Sequence, residues 1–181
     1  MIKKILKPET DLEKKIITDS DFIKGVMWGE PRKGHPEGKV IYHIGHVLSN
    51  VDKYSTSENR DKLRLLAIIH DCFKYKVDCT KPKSRDNDHA MFARSFAEKF
   101  ITENDLLEII ELHDEAYNSW CEGNISGKWD KAEYRANQLI VRLGQSINLY
   151  VLFYRCDNET GDKNNENYNW FINLIMNRFK Q

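Results

Sequence analysis

Leu63-Arg64-Leu65-Leu66-Ala67-Ile68-Ile69-His70-Asp71-Cys72-Phe73-Lys74 decides how the rest of the chain is read. Apolar residues at 63, 65, 66, 68 and 69 leave little room for a solvent face, so the run reads as a buried helix. That helix delivers a His and an Asp side by side, with a Lys three residues beyond the Asp. Burying a carboxylate next to an imidazole costs on the order of several kcal/mol unless a cation compensates. A divalent metal compensates well, because His nitrogen and Asp oxygen are both ordinary ligands. Alone, the dipeptide fits equally a core His beside a surface Asp at a helix end.

Outward from this run, the spacing predicts further helices. Residues 9–19 form a short one, with Thr10 as N-cap and Glu13 three positions on, and Phe22, Ile23, Val26 and Met27 suggest a second. Gly29 to Gly38 is the one Gly/Pro-rich, charged loop. Val40, Ile44, Val47, Leu48 and Val51 recur at helical spacing over Val40 to Tyr54, with His43 and His46 three apart. A helix over 61–74 follows, then a polar loop containing Lys81, Pro82, Lys83 and Arg85. A helix over 88–101 carries His89, Phe92, Phe96 and Phe100 on one stripe. Asn104 caps a helix over 105–117 with Leu106, Ile109, Ile110 and His113 on one face. A long pattern runs from about 130 to 156, with Gly144 as a weak point or close helix contact. Trp170, Phe171, Leu174, Ile175 and Phe179 close the chain on an amphipathic helix. No repeat or β-hairpin signal intervenes. The expected fold is an all-α single domain over 1–181, a bundle of six or more helices. Its core is expected at 35–157, with helices 9–28 and 166–179 packed on it.

Composition narrows the function classes. The 181 residues are 40% hydrophobic, which fits one domain with a sizeable core. Lys+Arg and Asp+Glu are equal at 28 each, so no global field favours nucleic acid or an anionic membrane. The four cysteines have no CxxC spacing, and no apolar h-region follows Met1. They read as reduced thiols of a cytoplasmic protein. No apolar run is long enough to span a membrane.

His43, the pair His70-Asp71, His89, His113 and Asp157 each lie on, or at the end of, an apolar stripe. A lone His on such a stripe is usually a hydrogen-bonded core His. Several on successive helices, with two Asp, follow the pattern by which bundles build metal sites. Mixed His and Asp ligands suit Fe, Mn, Co, Ni or Zn better than Mg or Ca.

In order, His43, His70-Asp71 and Asp157 resemble the H…HD…D signature of the HD-domain metal-dependent phosphohydrolases. Pro36-Glu37-Gly38 ahead of His43 and Val47 resembles the family's "PEG, then H and a Val four later". Ile68-Ile69-His70-Asp71-Cys72-Phe73-Lys74 resembles its HD segment with a Lys three residues on. Asp88-His89-Ala90 and Leu112-His113-Asp114 resemble segments where some members carry further His. The likeness covers roughly residues 35–157. Two departures stand out. His46 competes with His43, although Val47 at +4 favours His43, and Cys72-Phe73 replaces the small or apolar residues usual after the pair.

The resemblance implies an HD-type bundle and a metal-activated hydroxide that attacks a phosphate ester or anhydride. Members with the two extra His hold two metals, so it implies two divalent ions, with Asp71 bridging and His43, His70, Asp157, His89 and His113 as further ligands. Lys74 is the first candidate for substrate phosphate, followed by Arg32, Lys33 and Arg85. Trp28, Trp120 and Tyr117 are rim or core aromatics that can also stack on a base. The expected partner is a small phosphorylated substrate, a nucleotide first; a homo-oligomer stays open. The zero net charge makes nucleic acid a poorer substrate. A binuclear-iron HD-type oxygenase and a non-enzymatic regulatory HD domain are the alternatives.

Overall fold

The structure, a computed structural model, describes residues 1–178. Its organising element is the helix of the opening run, α5 (Arg60–Ile69). Leu63, Leu66, Ala67, Ile68 and Ile69 are fully enclosed, as expected of a helix apolar on most sides. In chain order, α1 (Ile2–Leu6), α2 (Asp11–Ile16), α3 (Ser20–Val26) and α4 (Val40–Tyr54) precede it. After it come α6 (His89–Ala97), α7 (Asn104–Leu112), α8 (Glu115–Asn124), α9 (Trp129–Leu143), α10 (Ile147–Asn158) and α11 (Glu166–Arg178). Helices α4, α7 and α10 pack directly on α5; α6 lies on α7, α8 pairs with α9, and α11 covers α8 and α10. One continuous apolar core runs from Leu6 to Phe171, so the chain is an all-α single domain. Among the described residues no helix is long and apolar enough to cross a membrane.

Local signals account for much of this. Thr10 Oγ1 accepts from the Glu13 amide at 3.1 Å and caps α2, and Asp19 Oδ1 does the same for α3. In α4 the apolar stripe Val40, Ile44, Val47, Leu48, Val51 is 5% exposed or less.

Several boundaries differ from the expected ones. The helix over 61–74 stops at Ile69, and the 105–117 helix is two, broken at His113-Asp114. Both breaks share a cause. His70 Nδ1 donates to Ala67 O at 3.0 Å and His113 Nδ1 to Ile110 O at 2.8 Å. These side chains take carbonyls in the last turn and cap it from within. Cys72 and Phe73 suit the first break: Cys72 Sγ donates to Ile69 O, and Phe73 packs 5.0 Å from Phe96, ring to ring. Helix α3 closes over this turn, and only Gly25 permits it, since a Cβ there would lie 1.6 Å from Cys72 O. The 130–156 pattern is also two helices. Gly144, at φ +49°, turns the chain between them, and a Cβ added there would meet nothing within 4 Å, so it is a conformational break rather than a close contact. Glu103, not Asn104, precedes α7 as its cap residue. Helix α1 carries too few residues for periodicity to reveal. Phe179, expected in the closing helix, lies outside the described residues.

Candidate metal centre

Five helices converge their ends or inner faces on one buried cluster. His43 lies one turn into α4, His70 and Asp71 follow the last turn of α5, and His89 opens α6. His113 follows α7, and Asp157 comes from the last turn of α10. His43, His70, Asp71, His89 and His113 are all 8% exposed or less.

The ligand atoms fall into two groups. In the first, His43 Nε2 lies 3.3 Å from His70 Nε2, 3.5 Å from Asp71 Oδ2 and 3.0 Å from Asp157 Oδ1. In the second, His89 Nε2 lies 3.1 Å from His113 Nε2, and each is 3.4 Å from Asp71 Oδ1. Ligands about 2.1 Å from one ion stand about 3 to 3.5 Å apart, which is the spacing seen here. Asp71 belongs to both groups, one carboxylate oxygen to each. Asp114 joins the second group, 3.4 Å from His89 Nε2 and 3.6 Å from His113 Nε2.

The donor chemistry fits a divalent cation. His70 and His113 donate Nδ1–H to Ala67 O and Ile110 O, and a carboxylate oxygen lies near Nδ1 of the other two, Glu37 at 3.3 Å from His43 and Asp88 at 3.5 Å from His89. That leaves every Nε2 turned inward, the arrangement by which proteins orient metal-binding histidines. Asp71 Oδ1 is buried with no hydrogen-bond partner, a costly omission in a folded chain.

Charge in the cluster shows the same surplus of acceptors. Burial alone would push the Asp71 carboxyl up, but the charges of His70 and Lys74 hold it well below the usual carboxylate range. Asp157 is likewise held low, by Lys163 and His43 against its burial. Burial pulls His113 down, yet the Asp114 and Asp71 carboxylates raise it to about 9. His43 is raised by Asp157 and Glu37 against the same penalty, while burial carries His70 the other way. The carboxylates therefore draw protons onto imidazoles, and a bound metal would displace them.

A cleft of about 500 Å³ opens onto the cluster through Asp71, Asp114 and Asp157. Lys74 and Lys33 line it. Lys74 pairs with Asp71 Oδ2, and although burial lowers its pKa, the Asp71 and Asp114 carboxylates raise it overall. Arg32 and Arg85 are exposed and stand outside the cleft lining, so the structure does not bring them to the cluster. His46 is exposed on the outer side of α4, in contrast to His43. Tyr117 and Trp120 stand on the cleft wall with ring centroids 6.1 Å apart; Trp28 does not reach it.

Sequence reading missed two groups here. Asp114 follows His113 just as Asp71 follows His70, a repeated His-Asp pair that could have marked it. Lys163 lies 3.2 Å from Asp157 Oδ1 and lines the cleft, but it comes from a polar loop without periodicity, where no signal singled it out.

The family model described as HD domain matches residues 39–143, more than half the chain. The matched span holds His43, His70, Asp71, His89 and His113, and Asp157 lies past its end. No curated protein and no solved structure matches the chain. With a buried His/Asp cluster suited to a divalent metal and this match over most of the residues that build it, the chain belongs to the HD-domain family, whose members are mostly metal-dependent hydrolases.

Proposed function

We propose that this protein is a phosphohydrolase that uses two divalent transition-metal ions to cleave a phosphate ester or anhydride of a small molecule, a nucleotide first. The observation that carries the reading is Asp71, whose two oxygens are divided between two groups of inward-facing imidazoles at the floor of a lysine-lined cleft. His43, His70, Asp71 and Asp157 would hold one ion. Asp71, His89 and His113 would hold the other, with Asp114 in reach. His and carboxylate donors together favour Fe, Mn, Co, Ni or Zn over Mg. A bound pair of such ions polarises a phosphoryl oxygen and makes water nucleophilic near neutral pH.

The chain's own residues supply the rest. Lys74, Lys163 and Lys33 present ammonium groups along the cleft, positioned to take phosphate oxygens. Tyr117 and Trp120, their rings tilted 30° to each other, line the same cleft and offer aromatic surface to a base. Burial of the histidines keeps bulk water from the inner side, which strengthens charge interactions there.

The test is metal analysis of the purified protein, then phosphate release over mononucleotides, dinucleoside polyphosphates and cyclic dinucleotides. Chelation should abolish release, and Mn, Fe, Co, Ni or Zn should restore it. Oxygen consumption with a reduced substrate, and no phosphate released from any compound, would replace this reading with an oxygenase.

A further inference from the structure

The outer edges of the four cluster histidines are not held alike. His70 and His113 give Nδ1–H to a carbonyl three residues back, so their rings are set as soon as their own helices form. His89 has only the carboxylate of its neighbour Asp88, 3.5 Å away. His43 stands inside α4, where the helix's own carbonyls are engaged by backbone amides. The carboxylate beside its Nδ1 comes from outside: Glu37 Oε1, at 3.3 Å, from the loop before α4.

Glu37 is unusual for a loop residue. Its side chain is only 4% exposed, the same Oε1 lies 3.1 Å from His35 Nδ1, and Oε2 is buried with no partner. Burying a carboxylate with one empty oxygen is expensive, and the loop does not need it to close. Backbone bonds between Arg32 and His35, at 3.1 and 2.9 Å, already do that. A further bond from Gly34 N to Asp162 Oδ1, at 2.7 Å, pins the loop to the turn that carries Lys163. The carboxylate is thus held rigidly against an imidazole whose other nitrogen faces Asp157 and Asp71.

We propose that Glu37 is a positioning residue of the metal centre, fixing the His43 ring with Nδ1 protonated and Nε2 turned to the ion, and tying the cleft-lining His35 to that ligand through one shared oxygen. A carboxylate in this place both orients the ring and makes its coordinating nitrogen more basic. Asp157 and Asp71, the neighbours on the other side of the ring, cannot do this, because they approach Nε2. Thr160 Oγ1, which donates to Asp157 O at 2.7 Å, keeps its lone pairs for Nδ1 at 3.5 Å, but it is neutral and stands farther off than the Glu37 carboxylate at 3.3 Å. The inference rests on His43 being a metal ligand.

The experiment compares wild type, Glu37→Ala, Glu37→Gln and His46→Ala by two readouts. One is zinc affinity by chelator competition. The other is the ring N–H spectrum of the zinc-loaded protein. In wild type the His43 Nδ1–H should be a slowly exchanging, downfield resonance. Glu37→Ala should lose that resonance and weaken zinc binding by about 10- to 100-fold, leaving the ring N–H signals of His70 and His113 in place. Glu37→Gln keeps an acceptor oxygen without charge, so it should restore the resonance and recover part of the affinity. His46→Ala should change neither. Wild-type affinity in Glu37→Ala overturns the proposal. So does an equal loss in both Glu37 variants with the His43 resonance unmoved, which would make Glu37 a scaffold for the loop. Wild-type protein that takes up no zinc, manganese or iron would sink the ligand reading of His43 and this inference with it.

Discussion

Helix α5 carries a buried charge near each end, and the two ends are finished differently. Toward the start, Arg64 is 2% exposed and meets Glu13, which is 0% exposed. Arg64 Nε and Nη2 donate to the two Glu13 oxygens at 2.8 and 2.9 Å, and Nη2 also reaches Lys7 O at 3.0 Å. The Glu9 amide donates to Glu13 Oε2 at 2.7 Å. Donors and acceptors balance, and α1 and α2 are fastened to the core by it. At the other end, Asp71 is as deeply buried, but four imidazole Nε2 atoms stand 3.4–3.5 Å from its oxygens and Oδ1 has no hydrogen-bond partner. Burial of charge is common to both ends. Whether the chain itself completes the hydrogen bonding separates a structural ion pair from a site that awaits a cation.

The sharpest way to break the comparison is to alter the unfinished end. Asp71→Asn should release the metal of both groups and lower phosphate release by on the order of a thousand-fold or more. Added metal should raise the melting temperature of wild type and leave that of Asp71→Asn unmoved, because ligand binding stabilises only a fold that binds. Calorimetry with and without metal reads this directly. At the finished end the expected signs are opposite. Arg64→Met strands Glu13 in the core and should cost about 3–5 kcal/mol by urea unfolding, with metal content per folded chain unchanged. The double variant Glu13→Leu, Arg64→Met should recover much of that loss.

The division of Asp71 between two groups is tested next. His89→Ala with His113→Ala should fold and fall from about two metals per chain to about one, as read by elemental analysis. A wild-type stoichiometry of one, unchanged in the double variant, would leave a mononuclear site. Within α4, His43→Ala should lose metal while His46→Ala keeps it; the reverse would shift the ligand assignment by three residues. The smallest effect belongs to a partly buried counterpart of the Arg64 end. Glu111 bonds Arg94 at 2.6 Å and Arg142 at 2.8 Å, and against its partial burial Arg142 and Arg94 hold its carboxyl below the ordinary value. A depressed carboxylate stabilises the fold above its unfolded pKa and loses that contribution as pH falls through its folded one. Glu111→Gln should therefore cost about 1 kcal/mol or less at pH 7, and less still in acid.

Periodicity and caps alone determined that the chain is helical, that Val40–Tyr54 is a single helix, and that His43 rather than His46 lies on its apolar phase. These are local properties, set by which residues recur every three or four positions. Ordered motifs also singled out the five His and Asp segments that the fold brings together. Apolar spacing did not reveal where α5 and α7 end, because the bonds from His70 and His113 to the carbonyl three residues back are local but leave no mark on the periodicity. Only the tertiary structure showed Glu13 closing on Arg64, Glu37 on His43, Asp114 beside His89, and Lys163 beside Asp157. Two of those four pairs, Glu13 with Arg64 and His89 with Asp114, join distant segments of the chain, the other two join a helix to an adjoining loop, and each depends on which donors remain unpaired after the helices have packed. A sequence pattern tells which face a residue occupies. Whether its polar atoms find partners there is decided by segments that packing, not spacing, brings within 3 or 4 Å.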